Sequence, residues 1–333
     1  MSYSDPVTGY KIHDQHVKNA TKRLSEWAMR VRTGAHLAVF SLFAVLVYWV
    51  TVFLMHLGSG WTLESQRFSG TVEFEAWTEL LGVNVAVWIM IAIWLWRQGM
   101  VWKRERDHIG VVVPALIYFA LAGFVYQGLA QAQSHVPIPL YLGNQRTHLV
   151  TLLAFACAMP GVLGVWRLSA RLHELKEKIS QGRELPSGDE IVSTLRECRL
   201  NLLHCVAGVG AIITGAVLAV AALRAAIHAA GLPVSRYPFP ATWLLFLGAY
   251  FTAVLALIAV PAFISWRSLA MAYVARIYAV PADGRLPENW AAGRSGLKRL
   301  LHVERVPIEV AANLLGLLAP LLTAILGAFV SAG

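Results

Sequence analysis

Seven long apolar runs alternate with polar segments along this chain of 333 residues, and they constrain its fold more than any other feature. A helix rises about 1.5 Å per residue, so roughly 20 apolar residues cross a hydrocarbon core about 30 Å thick. Hydrocarbon cannot hydrate backbone groups, and a helix satisfies those groups internally. The pattern predicts an all-α, polytopic membrane helix bundle with about seven transmembrane helices, near residues 34–57, 80–97, 110–131, 148–166, 203–228, 243–265 and 308–330.

The composition also indicates that lipid surrounds much of this chain. Hydrophobic residues make up 57% of the chain and charged residues only 14%, and the mean hydropathy is +0.57. A soluble domain usually carries about 25% charged residues. The lipid bilayer is therefore the first predicted partner of this chain.

Basic residues crowd into alternate gaps between the apolar runs. Residues 1–33, 97–108, 167–200 and 267–309 hold 24 of the 28 lysines and arginines. Because positive charge is retained on the cytoplasmic face, this asymmetry predicts a plasma (inner) membrane protein with a cytoplasmic N-terminus and an outer C-terminus. The net charge of +9 reflects this topology, and no nucleic-acid partner is predicted, since the basic residues match no binding motif.

The predicted organisation follows from these runs. A cytoplasmic amphipathic helix within 1–33 serves either as an interfacial anchor or as a docking helix for a cytosolic partner. Transmembrane helices 1–4 occupy 34–166, and a cytoplasmic helical hairpin occupies 167–202. Helices 5–6 occupy 203–265, a second cytoplasmic hairpin occupies 266–307, and helix 7 lies in 308–333. Pro320 stands in the middle of the last run, so a re-entrant hairpin is the alternative there.

Three inward-running spans end with the same dipeptide. Indole prefers the membrane interface and guanidinium prefers the cytoplasmic headgroups, so interface anchoring explains each pair. Matching prolines and turn sequences also suggest that spans four and five and spans six and seven are two copies of a tandem repeat. The alternative is a chance similarity combined with interface chemistry. The predicted anchors are Trp96, Arg97, Trp166, Arg167, Trp266 and Arg267.

Small residues recur every four positions in the fifth span, at Ala207, Ala211, Gly215 and Ala219. This spacing lets helix backbones approach closely, which favours association inside a membrane. The stripe predicts either a tight helix pair within one chain or a homo-oligomer.

Polar residues are scarce within the predicted spans. Asn84 and Asn313 are predicted to be buried amides that link helices. Arg224 lies near the outer end of the fifth span, where its side chain can snorkel to the headgroups. Because intramembrane charges usually mark transport pathways, their scarcity argues against an ion-coupled carrier.

Histidines are the only candidates for a cofactor. Haem b is held by histidines from two helices at one depth, and the candidates here are His36, His56, His148, His204 and His228. No cofactor is predicted outright, and haem b is the alternative. The spacing predicts no metal site, and no motif identifies a catalytic residue or marks an enzyme. None of the three cysteines lies in an outer loop, so no disulfide is predicted.

Three functional hypotheses survive. The first is a non-enzymatic membrane module whose cytoplasmic hairpins receive a partner or signal, because most polar mass lies in those hairpins. The second is a channel or permeability-altering effector, and the third is a haem b electron carrier. The outer segment 58–78 is rich in aromatic and acidic residues, and it predicts either a cap lying on the interface or a lid over a pore mouth.

Overall fold

The computed structural model describes residues 39, 41–97, 108–134, 138–180, 188–233, 237–280, 287–303 and 307–330. Within these ranges only the backbone is described for 108–114, 129–134, 180, 307–317 and 330. The described residues form helices and turns without a β-strand. The predicted amphipathic helix in 1–33, together with His36, lies outside the described residues, and so does the side chain of Asn313.

Nine helices account for the described secondary structure, and most of them follow the apolar runs. In chain order they are α1 Ser41–His56, α2 Leu63–Ser69, α3 Val72–Arg97, α4 His108–Ser134, α5 Gly143–Ser180, α6 Gly188–Ala229, α7 Ala241–Ile277, α8 Trp290–Leu300 and α9 Pro307–Val330.

The chain divides into two compact units, residues 1–47 and 48–333. The described part of the first unit is mainly the start of α1, where Leu42, Val45 and Leu46 are exposed. All contacts given below belong to the second unit.

Helix α6 is the central element of the second unit. It packs against α3, α5, α7 and α9, and α5 additionally contacts α3, α4 and α7. Both the apolar run and its flanking segments are helical, so α6 extends over 42 residues. At about 1.5 Å per residue it is roughly 63 Å long, about twice the thickness of a hydrocarbon core.

Glycines set how closely the helices approach α6. A Cβ atom on Gly215 would lie 2.7 Å from Asn84 Oδ1 and 3.0 Å from Trp88 Nε1 of α3. At the crossing of α5 with α6, a Cβ atom on Gly161 of α5 would lie 2.5 Å from a methyl carbon of Val209 of α6. These distances are too short for any real side chain, so the crossings of α3 and α5 with α6 require glycine.

Helix α9 uses the same device. A Cβ on Gly327 would lie 2.7 Å from Ala221 Cβ of α6, and Gly248 of α7 directly faces Ala324. The helix passes Pro320 without a break, so the alternative of a re-entrant hairpin is wrong. Proline removes one backbone donor from a helix, and packing against neighbouring helices makes that loss tolerable inside a membrane protein.

The apolar helices expose much of their apolar surface. Four of them, α3, α5, α6 and α7, are long and apolar enough to cross a membrane. In the most apolar stretch of α7 only 22% of the residues are buried, and Phe246, Leu257 and Ile264 are all more than 60% exposed. A soluble protein rarely exposes contiguous apolar surface on this scale. The structure therefore agrees with a helical membrane protein, as an all-helical bundle with four helices long and apolar enough to cross a membrane.

The other predicted spans coincide with shorter apolar helices. Within the described side chains these are Ser41–His56, Ala115–Gly128 and Leu318–Phe329, and the count of seven spans stays a prediction. Helix α3 begins at Val72, eight residues before the predicted boundary of the span. Its first two turns carry the acidic residues Glu73, Glu75 and Glu79, so hydropathy places the boundary after them. A boundary drawn from hydropathy misses such polar helical turns.

Replacing Gly215 with leucine is expected to separate α3 from α6, because the new side chain would overlap Asn84 and Trp88. Overpacking of this kind costs about 1–3 kcal/mol. Ala211→Leu is the matched control, since Ala211 lies one turn earlier on α6 and is exposed. Thermal unfolding in detergent should show a clear loss of stability for G215L only. Equal losses for the two variants would contradict the assigned α3–α6 crossing.

Candidate functional site

Helices α5, α6 and α7 continue together at the end of the bundle where α5 and α7 finish and α6 begins. We call this end of the bundle the basic end. We call the three-helix part that starts at Trp166, Leu202 and Trp266 the extension. Its helices bury one seam of side chains, made of Leu168, Leu172, Ile179, Ile191, Leu195, Cys198, Leu269, Tyr273 and Val274. The extension therefore has its own apolar core.

Hydrogen bonds from α7 reach the last turn of α5 and the first turn of α6. Tyr273 donates its hydroxyl to the carbonyl oxygen of Gly188 at 3.3 Å, in the first turn of α6. Arg276 donates to the carbonyl oxygen of Ile179, in the last turn of α5. Carbonyls at a helix C-terminus lack intrahelical donors and carry partial negative charge, so a guanidinium suits that position. The end of α7 thereby holds both helix ends of the hairpin.

Trp266 anchors α7 to α6 inside the extension. Its side chain is 5% exposed, and its indole Nε1 donates to the carbonyl oxygen of Leu195 at 2.9 Å. The guanidinium of Arg199 lies over the same ring, 5.8 Å from its centroid. Burial, a directional hydrogen bond and a cation–π contact make this residue a packing centre.

The outer surface of the extension is charged. Arg171, Glu174, Lys176 and Glu177 on α5, and Glu190, Arg196 and Glu197 on α6, are exposed. An apolar seam beneath a charged surface is the pattern of a helix bundle in water. From Trp166 to Ser180 the helix α5 rises about 21 Å, so the extension projects well past the apolar stretches of the bundle.

The three predicted tryptophan–arginine anchors lie at the same end of the bundle. Helices α3, α5 and α7 run antiparallel to α6, and contacts of Leu95 with Gly208, Gly161 with Cys205, and Trp266 with Leu195 set their registers. The pairs differ in burial. Trp96 and Arg97 are exposed, Trp166 and Arg167 are half-buried, and Trp266 is buried beside the exposed Arg267.

The opposite end of the bundle, which we call the capped end, is closed by an aromatic cluster. Phe68 of α2 packs edge-on against Phe74 of α3, with the ring centroids 5.0 Å apart, and Trp77 touches both rings. Side chains of α6 complete the cluster, which is buried throughout. Its core comprises Met55, Phe68, Phe74, Trp77, Leu81, Leu140, Ala219, Leu223, Ala226, Ile227, Leu232 and Tyr237.

Long-range hydrogen bonds tie the segments of the capped end together. The Tyr237 hydroxyl donates to Glu64 Oε2 at 2.9 Å, which links α2 to the segment between α6 and α7. Arg146 at the start of α5 donates to the carbonyl oxygens of Leu54 and Leu57 at 2.6 and 2.7 Å. The segment 58–78 is thus folded and joined to the bundle, and the choice between a cap on the interface and a lid over a pore mouth stays a prediction.

Arg224 belongs to the capped end. Its side chain is 7% exposed, and Nε donates to the carbonyl oxygen of Phe239 at 2.8 Å. Snorkelling toward headgroups would leave the guanidinium exposed, so the structure replaces that interpretation with an internal tie between α6 and the segment leading into α7. A buried charge requires such hydrogen bonding to be tolerated.

The middle of the bundle holds the predicted amide link. Asn84 Nδ2 donates to the carbonyl oxygen of Gly215 at 2.8 Å, across the α3–α6 crossing. The predicted stripe of small residues divides in two: Gly215 and Ala219 are buried, whereas Ala207 and Ala211 are exposed. The packing of α6 against α3 also uses Gly208, whose missing side chain makes room for Ile91 and Leu95.

The histidines lie at different depths. Gly161 of α5 faces Cys205, the neighbour of His204, whereas His148 lies thirteen residues nearer the capped end. The two histidines are therefore about 20 Å apart along the bundle, too far to share one haem. His56 is exposed and donates from Nδ1 to the carbonyl oxygen of Val52 at 2.9 Å, and His228 is exposed. With His36 outside the described residues, the haem hypothesis stays a prediction.

Among the side chains that the structure describes, no group of three or more His, Cys, Asp or Glu residues is arranged to hold a metal ion. Cys157, Cys198 and Cys205 form no disulfide and are all buried. Comparison with known proteins finds no matching family, no similar curated protein and no similar solved structure. The class of the protein, a helical membrane protein, therefore follows from its own helices.

Sequence reasoning missed the residues that build the two ends. Tyr273, Arg276 and Arg146 bind backbone carbonyls of helices far away in sequence, and no local pattern marks such partners. Helix α2 did have a local signal: Thr62 and Ser65 form a capping box, with Ser65 N donating to Thr62 Oγ1 at 3.0 Å.

Replacing Arg276 with alanine is expected to loosen the last turns of α5, because the Ile179 carbonyl loses its donor. A loss of about 1 kcal/mol raises the local opening equilibrium roughly fivefold. Amide exchange measured by mass spectrometry should quicken in residues 174–180 and stay unchanged in α3. Arg267→Ala is the control, because Arg267 is exposed on the same helix. Unaltered exchange in 174–180 would show that Arg276 does not hold the hairpin.

Proposed function

We propose that this protein is a non-enzymatic, multi-pass module of the plasma (inner) membrane whose basic end receives a cytosolic protein partner or signal. The proposal includes seven spans, a cytoplasmic N-terminus and an outer C-terminus. The single observation that carries it is the extension. Three helices share a buried seam beneath a charged surface, and α5 among them continues about 21 Å past Trp166.

The construction of the extension supports a docking role. Its hairpin is fixed from α7 by Tyr273 and Arg276, and Trp266 joins α7 to α6. A surface held in one geometry loses little conformational entropy when a partner binds, and preorganisation of this kind favours affinity. Exposed acidic and basic side chains alternate over α5 and α6, which suits recognition of a partner by charge complementarity.

The packing of the capped end favours a module over a pore. The aromatic cluster fills that end, and the buried polar or charged residues in the described part of the chain are Thr51, Ser65, Thr78 and Arg224. An ion path needs polar side chains, backbone carbonyls or water along its whole length. In the described interior, apolar side chains fill the Gly161 and Gly208 crossings, and the Asn84 amide at the third crossing is bound to the Gly215 carbonyl.

The cytoplasmic position of the basic end can be tested with single cysteines. The three native thiols are buried, so an impermeant maleimide should react mainly with an introduced exposed cysteine. Arg67→Cys lies on α2 at the capped end, and Lys176→Cys lies on the extension. In intact spheroplasts we expect labelling of R67C alone, and labelling of K176C only after permeabilisation. The reverse pattern would invert the proposed topology.

The partner can be trapped by photo-crosslinking in living cells. A benzophenone amino acid at Lys176 or Arg196, both exposed on the extension, should form an adduct with the same cytosolic protein. The same probe at Leu257, which is 77% exposed on the apolar face of α7, should not form that adduct. Arg276→Ala should lower the yield at Lys176, because the Ile179 carbonyl loses its donor and the end of α5 is held less firmly. Absence of any adduct from both extension sites in folded protein would refute the proposed role.

A further inference from the structure

Two loops at the capped end hold an exposed group of apolar side chains that neither the cap nor the extension uses. Trp61 is 68% exposed, Tyr141 45% and Leu142 46%. The rings of Trp61 and Tyr141 are in contact, with their centroids 4.2 Å apart. We call these three residues the ledge.

A glycine packs against the two aromatic side chains of the ledge. Gly58 has a φ of 75°, and a Cβ atom there would lie 3.0 Å from Tyr141 Cβ and 3.6 Å from the Trp61 ring. Only glycine adopts this conformation readily and also leaves room for both rings. The loop after α1 and the loop before α5 are therefore built against each other, and the aromatic pair stands out from both.

Leu142 has a strained backbone. Its φ is 52°, a region that bulky side chains rarely occupy. Burial of the side chain does not offset this strain, since Leu142 remains half exposed. Its carbonyl accepts a hydrogen bond from the Arg146 backbone N–H at 3.0 Å, so the strained residue also begins α5. Strain kept at an exposed leucine indicates a function for that side chain outside the folded chain.

The position of the ledge indicates what covers it. α1 ends at His56 and α5 begins at Gly143, so both loops lie where apolar helices leave the bilayer. The exposed apolar faces of these helices run directly into the ledge. On α1 this face includes Phe53 (64%), followed by Leu57 (47%) just after the helix, and on α5 it includes Leu149 (66%) and Leu152 (45%).

We infer that the ledge inserts into the boundary between headgroups and acyl chains of the leaflet at the capped end. Indole and phenol rings are amphipathic and favour this zone, and the neighbouring leucine reaches the first acyl carbons. The inference concerns lipid at the capped end and is independent of the partner proposed for the basic end. Arg146, bound to the carbonyls of Leu54 and Leu57, ties the two loops together beside the ledge.

Site-specific fluorescence tests the ledge. The full chain carrying Leu142→Cys, labelled with an environment-sensitive nitrobenzoxadiazole probe, is reconstituted into phosphatidylcholine nanodiscs. We expect blue-shifted emission, quenching by lipids with a nitroxide near the headgroup, and about threefold weaker quenching by aqueous iodide than at the control site. The control is Arg67→Cys, exposed on α2 of the same cap.

A second label site guards against a misfolded variant. Trp61 belongs to the same ledge and its backbone is not strained, so a label at Trp61→Cys should behave as the label at L142C does. Iodide quenching of both ledge labels equal to that of R67C would overturn the inference. Shielding that disappears when each nanodisc holds a single chain would also overturn it, because a second copy would then be covering the ledge.

Discussion

The close approach of helix backbones at α6 is the interaction on which the rest of the bundle depends. Water does not drive apolar helices together inside a bilayer, so association there relies on packing contacts and a few hydrogen bonds. Gly161, Gly208 and Gly215 remove the side chains that would keep α5 and α3 away from α6. Once the backbones are close, the Asn84 amide reaches the Gly215 carbonyl and adds a directional contact to the dispersion energy.

The two ends of the bundle are stabilised in different ways that follow from their different surroundings. At the capped end, aromatic side chains fill the space and charged groups such as Arg146 and Arg224 bind backbone carbonyls. At the basic end the same helices acquire charged outer faces, and a narrow apolar seam with Trp266 at its start holds them together. One set of helices thus changes from apolar outer faces to charged outer faces along its length.

Hydropathy was sufficient to predict the class of fold, because the length and apolarity of a segment are local properties. It was also sufficient to predict that helix continues past Trp166, where Leu172 and Ile179 recur at helical spacing and are indeed buried. The four-residue stripe in α6 shows the limit of such reasoning. Periodicity places Ala207, Ala211, Gly215 and Ala219 on related faces, but which neighbours cover each turn depends on the crossing angles of α3 and α9. Trp266 is a similar case: its sequence context is that of an interface anchor, and only the register of α7 on α6 turns it inward.

Helix α6 contains no proline over its 42 residues, whereas α5, α7 and α9 each contain one in the helix interior. An uninterrupted helix of roughly 63 Å behaves as a stiff rod rather than a jointed one. A tilt of about 5° imposed at the cap would displace the far tip by roughly 5 Å. A displacement at the capped end is therefore carried along α6 to the basic end by one stiff element, whereas its proline-bearing neighbours lack a backbone donor part-way along.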